Sequence, residues 1–181
     1  MIVLEALFKL TYGMYIASSK KNNRFNGCIV NSVFQLTPDP LMVGMSLNKK
    51  SLTNDYITDS NVFGVSILSQ NAPMSFIGKF GFRSGRDTNK FEQVNSQIGR
   101  TGVPIILDNT ICFIEAKVTQ TIDLVTHTLF IAKIVASQPI DRHGEPMTYA
   151  YYRDVKQGKT PEIAATYVAV KSKSQLGKKY D

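Results

Sequence analysis

The chain has 181 residues, 43% hydrophobic and 10% aromatic, with two cysteines, no tryptophan and a formal net charge of +7. That supplies enough apolar side chain for a single domain with a continuous core and excludes wholesale disorder. No uncharged apolar run reaches the about 18 residues of a membrane span, and the apolar start is interrupted by Glu5 and Lys9 with no basic leader ahead of it, so neither a membrane segment nor a signal peptide is expected and the expected location is the cytoplasm.

In chain order, residues 10–18 (LTYGMYIAS) read as a strand and residues 24–37 as a second, longer one, with Gly27 at a bulge or close approach. The run Thr37-Pro38-Asp39-Pro40 ends it, because proline has no N–H for a ladder. Residues 41–47 (LMVGMSL) form a third strand. Ser51 or Thr53 then caps a helix reaching Ser60, with Asp55 in its early turns favouring the helix dipole. Residues 62–68 (VFGVSIL) are a buried strand, Pro73 to Phe82 a short helix ended by Gly81, and 83–103 a loop rich in Gly, Arg, Asn and Ser. Two long strands follow over 111–122 and 127–138, then an aromatic-rich helical segment from Met147 to Lys156. Many strands at short intervals with few helices give a mainly β chain: a mostly antiparallel β-barrel with α additions. Residues 1–165 form the domain, and 166–181 a basic tail expected to be disordered from Lys171.

That tail also explains much of the charge. From Lys156 onward six lysines face two acids, leaving about +3 for the body, with no Lys/Arg stripe interleaved with aromatics. The run reads as a solvated basic tail, and no nucleic-acid partner is expected. Cys28 and Cys112 are far apart, outside any C-x-x-C pair and without neighbouring ligands, so no metal site is expected. Both read as buried thiols, with contact at a ligand's edge open to Cys28.

The chemistry gathers in Phe25–Ile57. Two strand ends offer backbone N–H groups together with Asn, Ser and Thr side chains, which suits an anionic, planar, heteroatom-rich ligand, that is, a phosphorylated cofactor. SLNKKSLT places hydroxyl, amide and ammonium groups just before a helix N-terminus, where free N–H groups and the dipole attract phosphate. GFRSGRDTNKF does not match a P-loop. His127 opens a strand, and a lone histidine is more often packed or solvated than catalytic. Tyr149, Tyr151 and Tyr152 fall partly on one helical face, for packing or for stacking on a ligand. Nothing supports hydrolysis: there is no Ser-His-Asp order and no HExxH.

The same segments resemble the flavin reductase-like, FMN-binding split-barrel family, and within it flavoredoxins and the flavin domain of high-molecular-weight rubredoxins. The resemblance is carried by Gly27, Asn31, Ser32, Pro38, Pro40, Ser46, Asn48, Ser51 and Thr53, and continues through FGFRSGRDTNKF, HTLF and MTYAYYRDVKQGKTP, over roughly the first 165 residues. It implies a split β-barrel holding FMN non-covalently. Asn31, Ser32, Val33 and Gln35 would meet the ring edge; Ser46, Leu47, Asn48, Ser51 and Thr53 the ribityl chain or phosphate. Lys90, followed by Phe91, would reach the phosphate and Ser84 would also contact the cofactor, with His127 and Tyr151 near the ring. His127 would be the catalytic candidate, although the acidic neighbour the family typically places before it is here Thr126. The implied activity is transfer of electrons from NAD(P)H through FMN to a small acceptor: free flavin, ferric iron or a separate rubredoxin-type carrier. A homodimer with the flavin near its interface is implied as well. Two other readings stay open: an electron carrier without its own NAD(P)H site, and a flavin- or haem-binding module without catalysis.

Overall fold

The computed structural model describes residues 4–167, so the expected disordered tail from Lys171 lies outside the described residues. After a 3-10 helical turn (Leu4–Lys9) come β1 (Tyr15–Lys21), β2 (Arg24–Val30), β3 (Val33–Pro38), β4 (Leu41–Asn48), α1 (Leu52–Ser60), β5 (Val62–Leu68), α2 (Met74–Gly81), β6 (Ser96–Ile98), β7 (Pro104–Ile106), β8 (Thr110–Leu124), β9 (His127–Pro139) and α3 (Tyr149–Asp154). Seven strands make one antiparallel sheet in the order β2-β1-β5-β8-β9-β4-β3, and β6 pairs with β7.

The order contains the reason for the architecture. β2 and β3 stand at opposite edges of the sheet, yet only Asn31 and Ser32 separate them in the chain. The three Cα–Cα steps from Val30 to Val33 span at most about 11 Å, so the sheet must curl until its edges meet, which makes a barrel with a seam. The core agrees. Val30 of β2, Met45 and Leu47 of β4, Val65 of β5 and Phe130 of β9 belong to one buried cluster, which a flat sheet would keep apart. α1 adds Ile57, fully buried, to that cluster. A second cluster, built on Met14, Leu68, Phe80 and Met147, packs α2 and α3 against the outside of β1 and β5.

The seam corrects one expectation. Residues 24–37 are not one long strand: the chain leaves the sheet at Asn31–Ser32 because it crosses from one edge to the other. The first strand begins at Tyr15 rather than residue 10, and Gly13 makes only an isolated bridge to Thr148. The expected loop over 83–103 contains β6, whose pairing to β7 is a contact distant enough in sequence to leave no local signal. The third helix is shorter than expected, since Thr148 accepts the Tyr151 N–H and sets its start at Tyr149. The remaining elements fall within a few residues of their expected places. No described helix is long and apolar enough to cross a membrane.

Candidate functional site

A cavity of about 270 Å³ opens at the seam, and the chain builds it from two ends. At one end stand the start of α1, the loop after α2 and the Lys90 side chain. Ser51 is the N-cap residue of α1, but its hydroxyl makes no capping bond and instead faces Cys28 Sγ at 3.5 Å. The first-turn N–H groups therefore carry their partial positive charge toward the cavity without a side-chain acceptor over them. Asn26 donates to Thr53 Oγ1 at 2.9 Å, fixing β2 against the first turn of α1. The Ser84–Gly85 loop presses on the same asparagine so closely that a Cβ at Gly85 would overlap its side chain.

Lys90 is the decisive side chain. It is 5% exposed, and its ammonium donates to the Gly27 carbonyl at 3.0 Å and the Phe80 carbonyl at 3.2 Å. An ammonium has three N–H bonds, so a third remains. Burial pushes its pKa below the ordinary lysine value, with the nearby Cys28 acting weakly the other way. Among the described residues no Asp or Glu lines the cavity, while Lys50, Arg83 and Lys159 join Lys90 along it. A buried cation without a carboxylate is costly. This end is built for an anion.

The other end is formed by Asn31, Ser46, Leu47 and Asn48 at the strand ends and by Tyr149 and Tyr152 of α3. The two tyrosines lie one helical turn apart and stack, with centroids 6.0 Å apart and an interplanar angle of 29°. Burial raises the pKa of both phenols, so both are neutral donors at physiological pH. Asn48 Oδ1 accepts the Lys50 N–H at 2.9 Å, and Asn48 pairs across the sheet with His127. Residues 159–165 close this end from above, all but Glu162 lining the cavity.

Of the residues singled out in the sequence, the fold brings Asn31, Ser46, Leu47, Asn48, Ser51, Ser84 and Lys90 to this one cavity. Others stand apart. Ser32 and Val33 line a separate open groove beside Tyr12 and Phe34, and Gln35 is exposed, bonded to the Thr37 carbonyl. Thr53 is fully buried on Asn26. Phe91 packs its ring against Phe80 and Phe25, with centroids 5.9 and 6.0 Å away, and so backs the site. His127 does not line the cavity: its Nδ1 meets Thr126 Oγ1 at 2.9 Å, and its Nε2 is buried without a hydrogen-bond partner although the Ile163 backbone faces the ring. Tyr151 stands aside as well, whereas Tyr149 and Tyr152 line the cavity. The i, i+3 spacing of those two was the available signal. Asn26 was not singled out within Phe25–Ile57, and the resemblance reached only to Pro161, so residues 162–165 carried no signal.

A model of the "Flavin reductase like domain" matches residues 7–158. The chain belongs to the flavin reductase-like family. It is 43% identical to the high molecular weight rubredoxin of Moorella thermoacetica over 94% of this chain and 74% of that one. It is also 43% identical to the ferric-chelate reductase (NAD(P)H) of Archaeoglobus fulgidus, over 91% of this chain and 96% of that one. Among solved structures, the family fold is shared with an FMN-binding protein from Thermus thermophilus, with a TM-score of 0.68 and 22% identity, over 76% of this chain and 78% of that one.

Proposed function

We propose that this chain binds FMN non-covalently in the seam cavity, takes electrons from NAD(P)H and passes them to a small acceptor. The single observation that carries the FMN assignment is the buried Lys90 ammonium in a cavity that no carboxylate lines among the described residues. A doubly charged phosphate monoester at that end would meet Lys90, the first turn of α1 and the Ser84 hydroxyl, and would offset a charge that the free protein leaves uncompensated. Riboflavin would leave it so. The relatives named a high molecular weight rubredoxin and a ferric-chelate reductase (NAD(P)H) support the electron-transfer role.

Bound FMN supplies an electron sink that accepts a hydride equivalent and releases electrons one or two at a time. The chain supplies position and environment. Backbone groups at Asn31 and at Ser46–Asn48 would orient the heteroatom edge of the ring, and Tyr149 and Tyr152 would exclude water from one side of it. No side chain acts as a nucleophile. Rate comes from alignment in a site that limits water, so proximity dominates. The cationic rim of Lys50, Arg83 and Lys159 suits anionic acceptors, a ferric chelate or an acidic carrier such as a separate rubredoxin, better than neutral ones.

A homodimer belongs to the same reading: Phe34, Leu36 and Leu41 are exposed along the β3 edge beside the groove at Ser32 and Val33. So does a cytoplasmic location, where reduced nicotinamides are held. The test is anaerobic titration of purified, FMN-loaded protein with NADH and with NADPH. Bleaching of the flavin band by one of them supports the reductase. A stably bound flavin that neither nicotinamide reduces leaves a carrier that needs its own reductase, and protein that takes up no FMN ends the proposal.

A further inference from the structure

Residues 159–166 form a strap over the ring end of the cavity, beyond Gly158, where the match to the family ends. Its attachment differs from everything beneath it. No residue from 158 to 167 is buried, so no apolar core anchors it. It is tied by side chains instead: Tyr152 Oη donates to the Lys159 carbonyl at 2.9 Å, the Tyr149 and Thr160 hydroxyls meet, and Asn31 Nδ2 donates to Thr166 Oγ1 at 2.5 Å. A segment with few buried contacts opens at low cost. Its near end has a natural pivot. Gln157 adopts a positive φ of 55°, and Gly158 lies so close to the Tyr152 ring that a Cβ there would overlap it.

Two groups beneath the strap are held back from the cavity by it. His127 Nε2 is buried under Ile163, whose backbone approaches it without forming a well-aligned hydrogen bond, so water or a ligand that reached it would satisfy it better. Asn31, a seam residue at the ring end of the cavity, has its amide committed to Thr166 rather than to anything in the cavity. Both groups become available only if the strap moves.

We propose that residues 159–166 are a lid, closed in this structure, that swings at Gln157–Gly158 to admit the nicotinamide of NAD(P)H to the flavin and to expose His127 and Asn31 to it. The proposal rests on the FMN reading, and flavin absorbance tests that reading separately.

The experiment uses the whole 181-residue chain, FMN-loaded, and Thr166→Val, which keeps the shape and removes a hydroxyl that is bonded to Asn31 and also reaches Tyr149. Loss of at least one hydrogen bond shifts a closed–open balance by about fivefold or more. Iodide quenching of flavin fluorescence and hydrogen exchange over 159–166 should therefore both rise by about that factor. Anaerobic reduction of the flavin at low NAD(P)H should quicken in step. In the unaltered protein, tryptic cleavage after Lys159 should accelerate when NADP+ is added. Loaded protein in which quenching, exchange and reduction rate are all unchanged by Thr166→Val overturns the lid. So does slower reduction at unchanged quenching, which would make the strap a fixed wall of the nicotinamide site. Protein that never holds flavin fails at the earlier step.

Discussion

The two ends of the cavity are made differently. The anion end is assembled from α1, the β2 backbone and a buried lysine whose hydrogen bonds go to main-chain carbonyls. The ring end is closed by an exposed strap held mainly by side-chain ties from Asn31, Tyr149 and Tyr152. The first has its charge fixed before any ligand arrives, at a cost in the stability of the empty protein. The second has little of its own energy invested and can rearrange. Such a division suits a protein that keeps its cofactor and exchanges its substrates: retention needs preorganised charge, and turnover needs an opening.

The sharpest way to break this comparison is to remove the charge. Lys90→Met should weaken FMN binding by about 2–3 kcal/mol, the range for a hydrogen bond to a charged group. It should leave the empty protein as stable as before or more so, because an uncompensated buried charge goes with it. Fluorescence titration and thermal melts of both proteins, with and without FMN, read the two effects. Unchanged FMN affinity would move the phosphate elsewhere.

The second effect is one of pH. Burial lowers the Lys90 pKa in the folded protein below the 10.5 of an ordinary lysine, so between those values the unfolded chain binds more protons than the folded one. Stability of the empty protein then rises with pH across that window and is lost as pH falls through the folded pKa. A phosphate beside Lys90 raises the folded pKa and removes the dependence. The melting-temperature gain from FMN should accordingly be largest near neutral pH and shrink as pH approaches 10. Cys112 and the tyrosines, whose raised pKa values start from ordinary values of 9.0 and 10.0, pull the other way as pH rises past those values. In Lys90→Met the trend should vanish, and its persistence would assign it to another group.

How much of this was legible in the sequence follows the same division. Ser51, Ser84 and Lys90 stand in short motifs, and a helix N-terminus with hydroxyls and a lysine nearby has one common chemical use. The alternation of apolar residues also marked most strands. The broken strand at Asn31–Ser32 was not legible. Its cause is the meeting of β2 and β3 at the barrel seam, which no local pattern encodes. Gln35, Thr53 and Tyr151 belong to plausible motifs, but strand pleat and helix phase turn them from the cavity, and phase is lost when a boundary shifts by one residue. The start of the strap, Lys159-Thr160-Pro161, lay in a segment that carried the resemblance, but its covering role was not legible, because it and the small residues after it act only through what they cover.

A smaller effect tests the anion end from its other side. Ser51→Ala removes a hydroxyl that faces Cys28 rather than capping α1. Helix stability should barely change, while FMN affinity should fall by about 1 kcal/mol if the hydroxyl turns to the phosphate. A drop in melting temperature of the empty protein without loss of affinity would make Ser51 an ordinary structural residue.

Ser32→Ala should have the smallest effect, and it locates the ligand by contrast with Ser51→Ala. The Ser32 hydroxyl meets Asn31 Oδ1 at 3.3 Å and its side chain lines the outer groove, not the cavity. Its backbone carbonyl, which accepts the Ser46 N–H at 3.0 Å and holds the seam shut, survives the substitution. FMN affinity should therefore change by less than about 0.5 kcal/mol, the usual bound for a substitution outside packing, caps and networks. A loss equal to that of Ser51→Ala would mean that the flavin reaches out through the seam into the groove. Charge at Lys90 and contact at Ser32 would then belong to one extended ligand, and the separation of a fixed end from a mobile one would fail.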